Sequence, residues 1–163
     1  MNEPFNSALE TGVRTLTILA ASFPSMHDLS RLVQYDYLVV HSGDADPNGP
    51  SSLHPPLPMR SGELLVRRGL VERGLHLLLG RGLARRVFNE RGVFYQAEEE
   101  AGAFLSNLRE RYNLELQERA DWVAQKFDEL DDFELDEVIK SVFSAGTAQF
   151  LPVENLAIED DPR

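Results

Sequence analysis

Residues 61–96 read SGELLVRRGLVERGLHLLLGRGLARRVFNERGVFYQ, and they contain the clearest structural signals of the chain. Leucine and valine recur at spacings of three and four over 61–79, which predicts a helix with one apolar face. Gly80 is placed to end that helix in a left-handed cap. The β-prone runs 83–88 and 93–96 are separated by NERG, whose Asn and Gly suit a hairpin turn. The stretch therefore predicts a helix followed by a two-stranded hairpin.

Two more helices are predicted before this stretch. Ser7 and Glu10 have the spacing of a capping box, and an apolar run with helical period follows them up to Phe23-Pro24. Ser25 or Asp28 can cap the second helix, which is apolar on most faces, as a buried helix requires. Three helices followed by a hairpin describe a winged helix-turn-helix.

Further helices are predicted after the hairpin, over 98–112 and 113–130, followed by one that Asp131 and Glu134 box at its start and Gly146 ends. The fold class is therefore mainly α with a small β-hairpin, a winged helix-turn-helix core followed by C-terminal helices.

The chain divides into three predicted parts. A winged-helix core spans 1–97, a helical segment spans 98–146, and a flexible acidic tail spans 147–163. Within the core, residues 42–59 concentrate Gly, Pro, Ser and Asp, which predicts one long loop with polyproline character. Loops of that length in compact domains tend to be functional or mobile.

Charge is segregated along the chain. Residues 60–91 hold eight arginines against three glutamates, a net charge of +5, whereas residues 1–59 carry −4 and residues 92–163 carry −12. Such segregation predicts a basic face and an acidic face that meet different neighbours. The candidate partner or nucleic-acid face consists of Arg60, Arg67, Arg68, Arg73, Arg85, Arg86 and Arg91. Against DNA contact stands the net charge of −11, and the arginines could instead pair with the acidic helices.

No assembled active site is evident. The absence of cysteine excludes disulfides, thiolate catalysis and cysteine-ligated metal sites, and neither a phosphate-binding GxxxxGK[ST] motif nor a Gly-x-Ser-x-Gly elbow is present. Asp44 to Gly49 copies the opening of a calcium loop, but Pro55 stands where a bidentate Glu is required. We therefore expect no catalytic, cofactor-binding or metal-binding residues. The N-terminal region fits neither a signal peptide nor a membrane span, so we expect a cytoplasmic protein.

The segment His41-Ser42-Gly43-Asp44 is better explained as structure than as chemistry. Ser42 and Asp44 can satisfy backbone donors where the second helix ends, and Asp44 could also pair with an arginine. With Glu63, these residues form a candidate structural motif: His41, Ser42, Asp44 and Glu63.

Several short stretches together carry a family resemblance. They are NSALE (6–10), YDYLVVHSGD (35–44), SLHP (52–55), RSGELLVRR (60–68) and LVERGL (70–75). In combination they resemble the middle component of bacterial ABC three-component systems, in the second of its families. The resemblance implies a winged-helix fold. Its motifs are not catalytic signatures, and with no assembled active site we expect a non-enzymatic protein. The resemblance also implies an adaptor role between an SMC-like or Rad50-like ABC ATPase and an effector, in an anti-phage or conflict defence complex.

Two alternatives stay open beside the adaptor. A winged-helix regulator would bind its own operator through the basic face; a small hydrolase or metal enzyme is disfavoured because the ligand set and nucleophile elbow are missing. The C-terminal helices carry apolar stripes that could pack on the core, on a second copy as a homodimer, or on the ATPase. The apolar-acidic tail resembles a peptide that orders on a partner. Its candidate interface residues are Phe150, Leu151, Val153, Leu156 and Ile158.

Overall fold

The computed structural model describes residues 7–56 and 60–150, without the side chains of 60–61 and 145–150. This part of the chain is mainly helical with one antiparallel hairpin, which confirms that much of the predicted fold class; the winged helix-turn-helix arrangement stays a prediction. The elements are α1 Ala8–Ser22, α2 Leu29–Val40, α3 Ser42–Ala45, α4 Arg60–Gly80, β1 Ala84–Asn89, β2 Gly92–Ala97, α5 Glu100–Ser106, α6 Arg111–Phe127 and α7 Asp132–Phe150.

Helix starts follow the predicted caps. The Ser7 hydroxyl accepts from the Glu10 N–H (3.1 Å) at the start of α1. At α2 the structure selects Asp28, whose carboxylate accepts from the Arg31 N–H (2.9 Å). At α7 the box is reciprocal, because the Asp131 and Glu134 side chains each accept from the other's N–H, at 2.8 and 3.1 Å. Each pair satisfies N–H groups that have no partner within the helix.

The end of α4 corrects one prediction. The helix includes Gly80, and the left-handed residue is Gly82, with φ 69°. The Leu83 N–H donates to the Leu78 carbonyl (3.0 Å) and the Gly82 N–H to the Leu79 carbonyl (3.2 Å), the pattern of a Schellman cap. Burial of Leu83 against the core selects this position, so the helix ends beyond the first glycine.

Three other boundaries differ from the prediction. The segment 42–59 is not one continuous loop, because α3 forms within it, at Ser42–Ala45. The break between the helices after the hairpin falls between Ser106 and Arg111 rather than at 112–113, and burial of Leu105 holds the shorter α5 on the core. The last helix continues through Gly146 to Phe150, since an interior glycine weakens a helix by only about 1 kcal/mol.

The core is built around α1, which packs against α2, α4 and α6. The crossing of α1 and α4 is close at Gly12 and Gly74: a Cβ on Gly74 would lie 2.8 Å from the Gly12 Cα. Leucines of α1, α2 and α4 fill the interior together with Val123 and Phe127 of α6 and Leu135 of α7. None of the helices in the described ranges combines the length and apolar content that crossing a membrane requires.

The hairpin stands beside this helical core. Its register runs from Ala84 opposite Ala97 to Asn89 opposite Gly92, and Gly92 has φ 130°. On the outer side of β2, the Tyr95 N–H donates to the His27 carbonyl (2.8 Å) and the Tyr95 carbonyl accepts from the His27 N–H (3.0 Å). This bridge attaches β2, rather than β1, to the segment between α1 and α2.

Candidate functional site

A buried ionic network lies where α1, α2 and α4 meet. At its centre the Asp36 carboxylate of α2 accepts from the Arg14 Nε of α1 (2.9 Å) and from the Arg67 Nη1 of α4 (2.5 Å). Arg14 and Asp36 are fully enclosed, and Arg67 is 4% exposed. Charges in such surroundings are tolerated only when they are paired and hydrogen-bonded. Asp36 therefore ties three helices together through two guanidinium groups.

Arg67 extends the network to a second carboxylate. Its Nε donates to the Glu63 Oε1 (2.9 Å), one helical turn earlier on α4. The imidazole of His41 lies beside this pair, with its Nε2 3.5 Å from the Glu63 Oε1. That separation suits an ion pair but lacks hydrogen-bond geometry, so among the described residues neither ring nitrogen of His41 has a hydrogen-bond partner. Two guanidinium groups thus face two carboxylates.

The protonation equilibria reflect this pairing. Burial works to raise the pKa of Asp36, but the charges of Arg14 and Arg67 outweigh it and hold that pKa below its ordinary value. Burial also works to raise the pKa of Glu63, and the neighbouring His41 and Arg67 lower it further than burial raises it. Both carboxylates are therefore held ionised inside the protein.

The loop after α3 folds back onto this network. The Ser42 hydroxyl donates to the Ser51 carbonyl (3.1 Å), and the Gly43 N–H donates to the Ser52 hydroxyl (3.0 Å). The N–H groups of Leu53 and His54 both reach the last carbonyl of α2. These bonds satisfy polar groups at the helix end and fix residues 51–54 against it.

His54 continues the loop toward α6. Its Nε2 lies 2.8 Å from the Tyr112 hydroxyl, and its ring lies 6.2 Å from that of His41. Burial, together with the charges of Arg14 and Arg67, lowers the pKa of His54 to about 4. The ring is therefore neutral at physiological pH and acts as a hydrogen-bonding strut between the loop and α6.

A second polar cluster joins α1 and α2 to the connection between α6 and α7. The Asp128 carboxylate accepts from the Tyr35 hydroxyl (2.7 Å) and from the Ser22 hydroxyl (3.3 Å), and His27 Nε2 lies 3.5 Å away. Nearby, Arg31 Nη2 donates to the carbonyls of Phe127 (2.7 Å) and Leu130 (2.6 Å) where α6 ends. This second cluster closes the end of α6 onto α2.

The exposed charges are distributed differently. Arg81, Arg85, Arg86 and Arg91 are exposed on the hairpin and the turn that precedes it. Arg85 donates to the Gln96 side chain (2.9 Å) and Arg91 lies over the Phe94 ring (6.0 Å). Helices α6 and α7 and their connection expose acids instead: Glu118, Asp121, Glu129, Asp131, Asp132, Glu134, Asp136 and Glu137.

These features can be compared with known families. A family model for the ABC-three component (ABC-3C) system Middle Component 2 matches residues 4–149. The chain belongs to the ABC-3C Middle Component 2 family. No curated protein and no solved structure matches it. The resemblance inferred from the short stretches of sequence is thereby confirmed, and the protein is a middle component of a multi-component system.

Three of the five stretches that carry the resemblance converge in this middle component. YDYLVVHSGD supplies Asp36 and His41, SLHP supplies His54, and RSGELLVRR supplies Glu63 and Arg67. All five belong to the buried network or line it. These three family stretches therefore meet inside the protein, at the junction of α1, α2 and α4.

Arg67 corrects the predicted basic face. Helical periodicity left most arginines of α4 off the apolar stripe, but Arg67 points inward because Asp36 of α2 offers a buried counter-charge. Arg68 is exposed and pairs with Glu72 (3.7 Å), and Arg73 is exposed. Arg60 begins α4, and its side chain is outside the description. The exposed basic surface is thus centred on the hairpin.

The other predicted residues are placed as follows. Of the structural motif, His41 lies beside Glu63 (3.5 Å), and Asp44 Oδ2 accepts from the Tyr37 hydroxyl (3.3 Å). The Ser42 hydroxyl donates to the Ser51 carbonyl, whereas the sequence predicted that it accepts from a backbone N–H. Of the tail interface, Phe150 ends α7, and its side chain is outside the description. Leu151, Val153, Leu156 and Ile158 lie outside the described residues.

Two central residues of the network were missed by sequence reasoning. Arg14 is the one charged residue of the helical run 11–22, and Asp36 stands between two tyrosines in a helix that is apolar on most faces. A charge in such a setting requires a buried partner of opposite sign, which was the available signal. In the described part of the chain, no group of three or more His, Asp or Glu side chains is placed to hold a metal ion.

Proposed function

We propose that this middle component is a non-enzymatic adaptor that holds an SMC-like or Rad50-like ABC ATPase to an effector subunit. The proposed complex is a bacterial anti-phage or conflict defence assembly in the cytoplasm. Membership of the Middle Component 2 family carries the proposal, since a middle component works with the other components of its system. The identity of those components as such an ATPase and an effector comes from the resemblance and is part of the proposal.

The separation of exposed charge supports a two-partner role. The arginines around the hairpin form a basic surface, whereas α6, α7 and their connection expose eight carboxylates from Glu118 to Glu137. Surfaces of opposite sign attract different partners and repel like-charged ones, which gives specificity to each contact. The interior charges do not contribute to either surface, because Arg14 and Arg67 are neutralised by Asp36 and Glu63.

The alternative is a winged-helix regulator that binds DNA, and one observation favours it. The hairpin directly follows the long helix α4 and carries exposed arginines, as a wing beside a recognition helix would. The outward side of α4 opposes it, because Leu65 and Val66 are 76% and 66% exposed and cannot read base edges by hydrogen bonding. Such apolar residues suit a protein contact, which makes the adaptor the stronger proposal.

The proposal is tested by expressing the tagged chain with the other components of its system and measuring the molar mass of the purified complex. An adaptor is expected to elute with both other components at a fixed stoichiometry. Elution as a homodimer without them, with salt-sensitive binding of duplex DNA, would support the regulator instead.

A further inference from the structure

The two edges of the hairpin differ. Both backbone groups of Tyr95 bond His27, so they point away from β1. In an antiparallel pair, opposite residues alternate between exchanging both hydrogen bonds and exchanging none. Arg86 lies opposite Tyr95, and Phe88 lies two residues further along β1. The N–H and C=O groups of Arg86 and Phe88 therefore point outward, and no strand lies beside them within the described ranges.

The side chains around this open edge are basic or apolar. Arg86, Phe88 and Val93 lie on the same face of the hairpin, since side chains alternate along a strand and opposite residues share a face. Phe88 is 68% exposed. In the described part of the chain, no carboxylate pairs with Arg81, Arg85, Arg86 or Arg91.

The outward backbone groups and the arginines of this edge limit which molecules can bind to it. A second copy of β1 would bring arginines opposite arginines, which is unfavourable. A nucleic acid would use the arginines but leave the backbone groups of Arg86 and Phe88 without strand partners. An extended acidic segment of a protein satisfies both the edge and the charge.

We propose that the outer edge of β1 binds an extended acidic segment of a partner subunit, which adds a third strand to the hairpin. The segment pairs its backbone with Arg86 and Phe88, as in strand addition to other exposed sheet edges. Its carboxylates meet Arg85 and Arg86, and an apolar side chain covers Phe88. The inference rests on the proposed function, since the segment belongs to another component of the ABC-3C system.

Amide hydrogen exchange of the assembled complex tests this directly. In the free protein, the amides of Arg86 and Phe88 are expected to exchange rapidly, while those of Arg85 and Val87, within the ladder, are slow. Complex formation should slow the amide exchange of Arg86 and Phe88 at least tenfold. A complex that leaves both amides fast would overturn the strand-addition proposal while the adaptor proposal stands. Failure to form any complex would instead count against the adaptor and this inference together.

A pair of variants isolates the backbone contribution. Phe88→Ala removes the side chain and keeps the outward N–H, whereas Phe88→Pro removes both, at an edge position where proline spares the β1–β2 ladder. Phe88→Pro is expected to bind the partner components about tenfold more weakly than Phe88→Ala, with slow exchange retained at Arg85. Equal affinities of the two variants would contradict strand addition. Slower amide exchange at Arg86 and Phe88 with a duplex oligonucleotide alone would also contradict strand addition. That result would assign the edge to nucleic acid.

Discussion

Asp36 of α2 and Arg67 of α4 form an ion pair in which both side chains are buried, with 2.5 Å between Oδ2 and Nη1. Arg14 approaches the other carboxylate oxygen from α1. The relative positions of three helices thus depend on one carboxylate.

Removing that carboxylate should leave two guanidinium groups without their shared counter-charge. We expect Asp36→Asn to lower the free energy of unfolding by about 3–5 kcal/mol, the usual cost of breaking a buried ion pair. Urea denaturation measures it. The control is Asp132→Asn, which breaks an ion pair with Arg31 at an exposed carboxylate and should cost less than about 1 kcal/mol. Similar losses for both variants would show that Asp36 does not hold the helices.

The close crossing of α1 and α4 gives a second prediction. Gly74→Ala would place a Cβ 2.8 Å from the Gly12 Cα and N, both backbone atoms, so the helices must separate. We expect a loss of about 1–3 kcal/mol, as for other overpacked cores, measured by thermal and urea unfolding. Gly62→Ala is the matched control on the same helix, where an added Cβ meets nothing within 4 Å. It should stabilise the protein by up to about 1 kcal/mol, and destabilisation by both variants would contradict the packing argument.

His54 predicts a dependence of stability on pH. Its pKa is lowered to about 4 in the folded protein, against about 6.5 in an unfolded chain. Between these values the unfolded chain binds a proton that the folded protein does not, so acidification from pH 6.5 toward 4 should lower the free energy of unfolding. Above pH 6.5 this contribution to stability is fully present. Denaturant midpoints measured from pH 7.5 down to 5 report this loss of stability, because most carboxylates titrate below that range.

His54→Gln should flatten that decline, because an amide can still bond the Tyr112 hydroxyl but does not titrate. The exposed His76→Gln is the matched control and should keep the wild-type slope. An unchanged slope in His54→Gln would show that another group causes the pH dependence.

The two charged surfaces should be separable by mutation. Arg81→Glu with Arg86→Glu reverses charge at the hairpin, and Glu129→Lys with Glu137→Lys reverses it on the acidic side. We expect each pair to weaken binding of a different component while leaving the thermal midpoint within a few degrees of wild type. Surface substitutions of this kind rarely change stability much. Binding is measured by titration of each purified component at two salt concentrations.

Arg111→Glu serves as the control, since Arg111 is exposed on α6 away from the hairpin arginines in sequence. It should leave both affinities unchanged. If the two reversal pairs weaken the same component, the chain has one binding surface and the two-surface account fails.

Local signals were read well from the sequence. The caps at Ser7, Asp28 and Asp131 involve residues within three positions of one another, and the hairpin turn is equally local. The end of α4 was misplaced because burial of Leu83 by the rest of the core selects Gly82 over Gly80 as the left-handed residue.

The buried network could not be assigned from the sequence in the same way. Whether an arginine of α4 faces solvent or the interior depends on what another helix presents to it. Arg67 turns inward because Asp36, which is 31 residues earlier in the chain, presents a buried carboxylate to it. Arg14 joins from 22 residues before Asp36. Such pairings follow from the packing of the helices, which short-range periodicity does not specify.

The adaptor role is tested most directly by measuring whether this chain links the ATPase component to the third component. The ATPase component carries the tag, the third component is supplied in solution, and recovery of the third component is measured with and without this chain. The account predicts that the third component is retained only when the middle component is present, and that Arg81→Glu with Arg86→Glu abolishes retention while Arg111→Glu does not. Equal retention without the middle component would contradict the adaptor role.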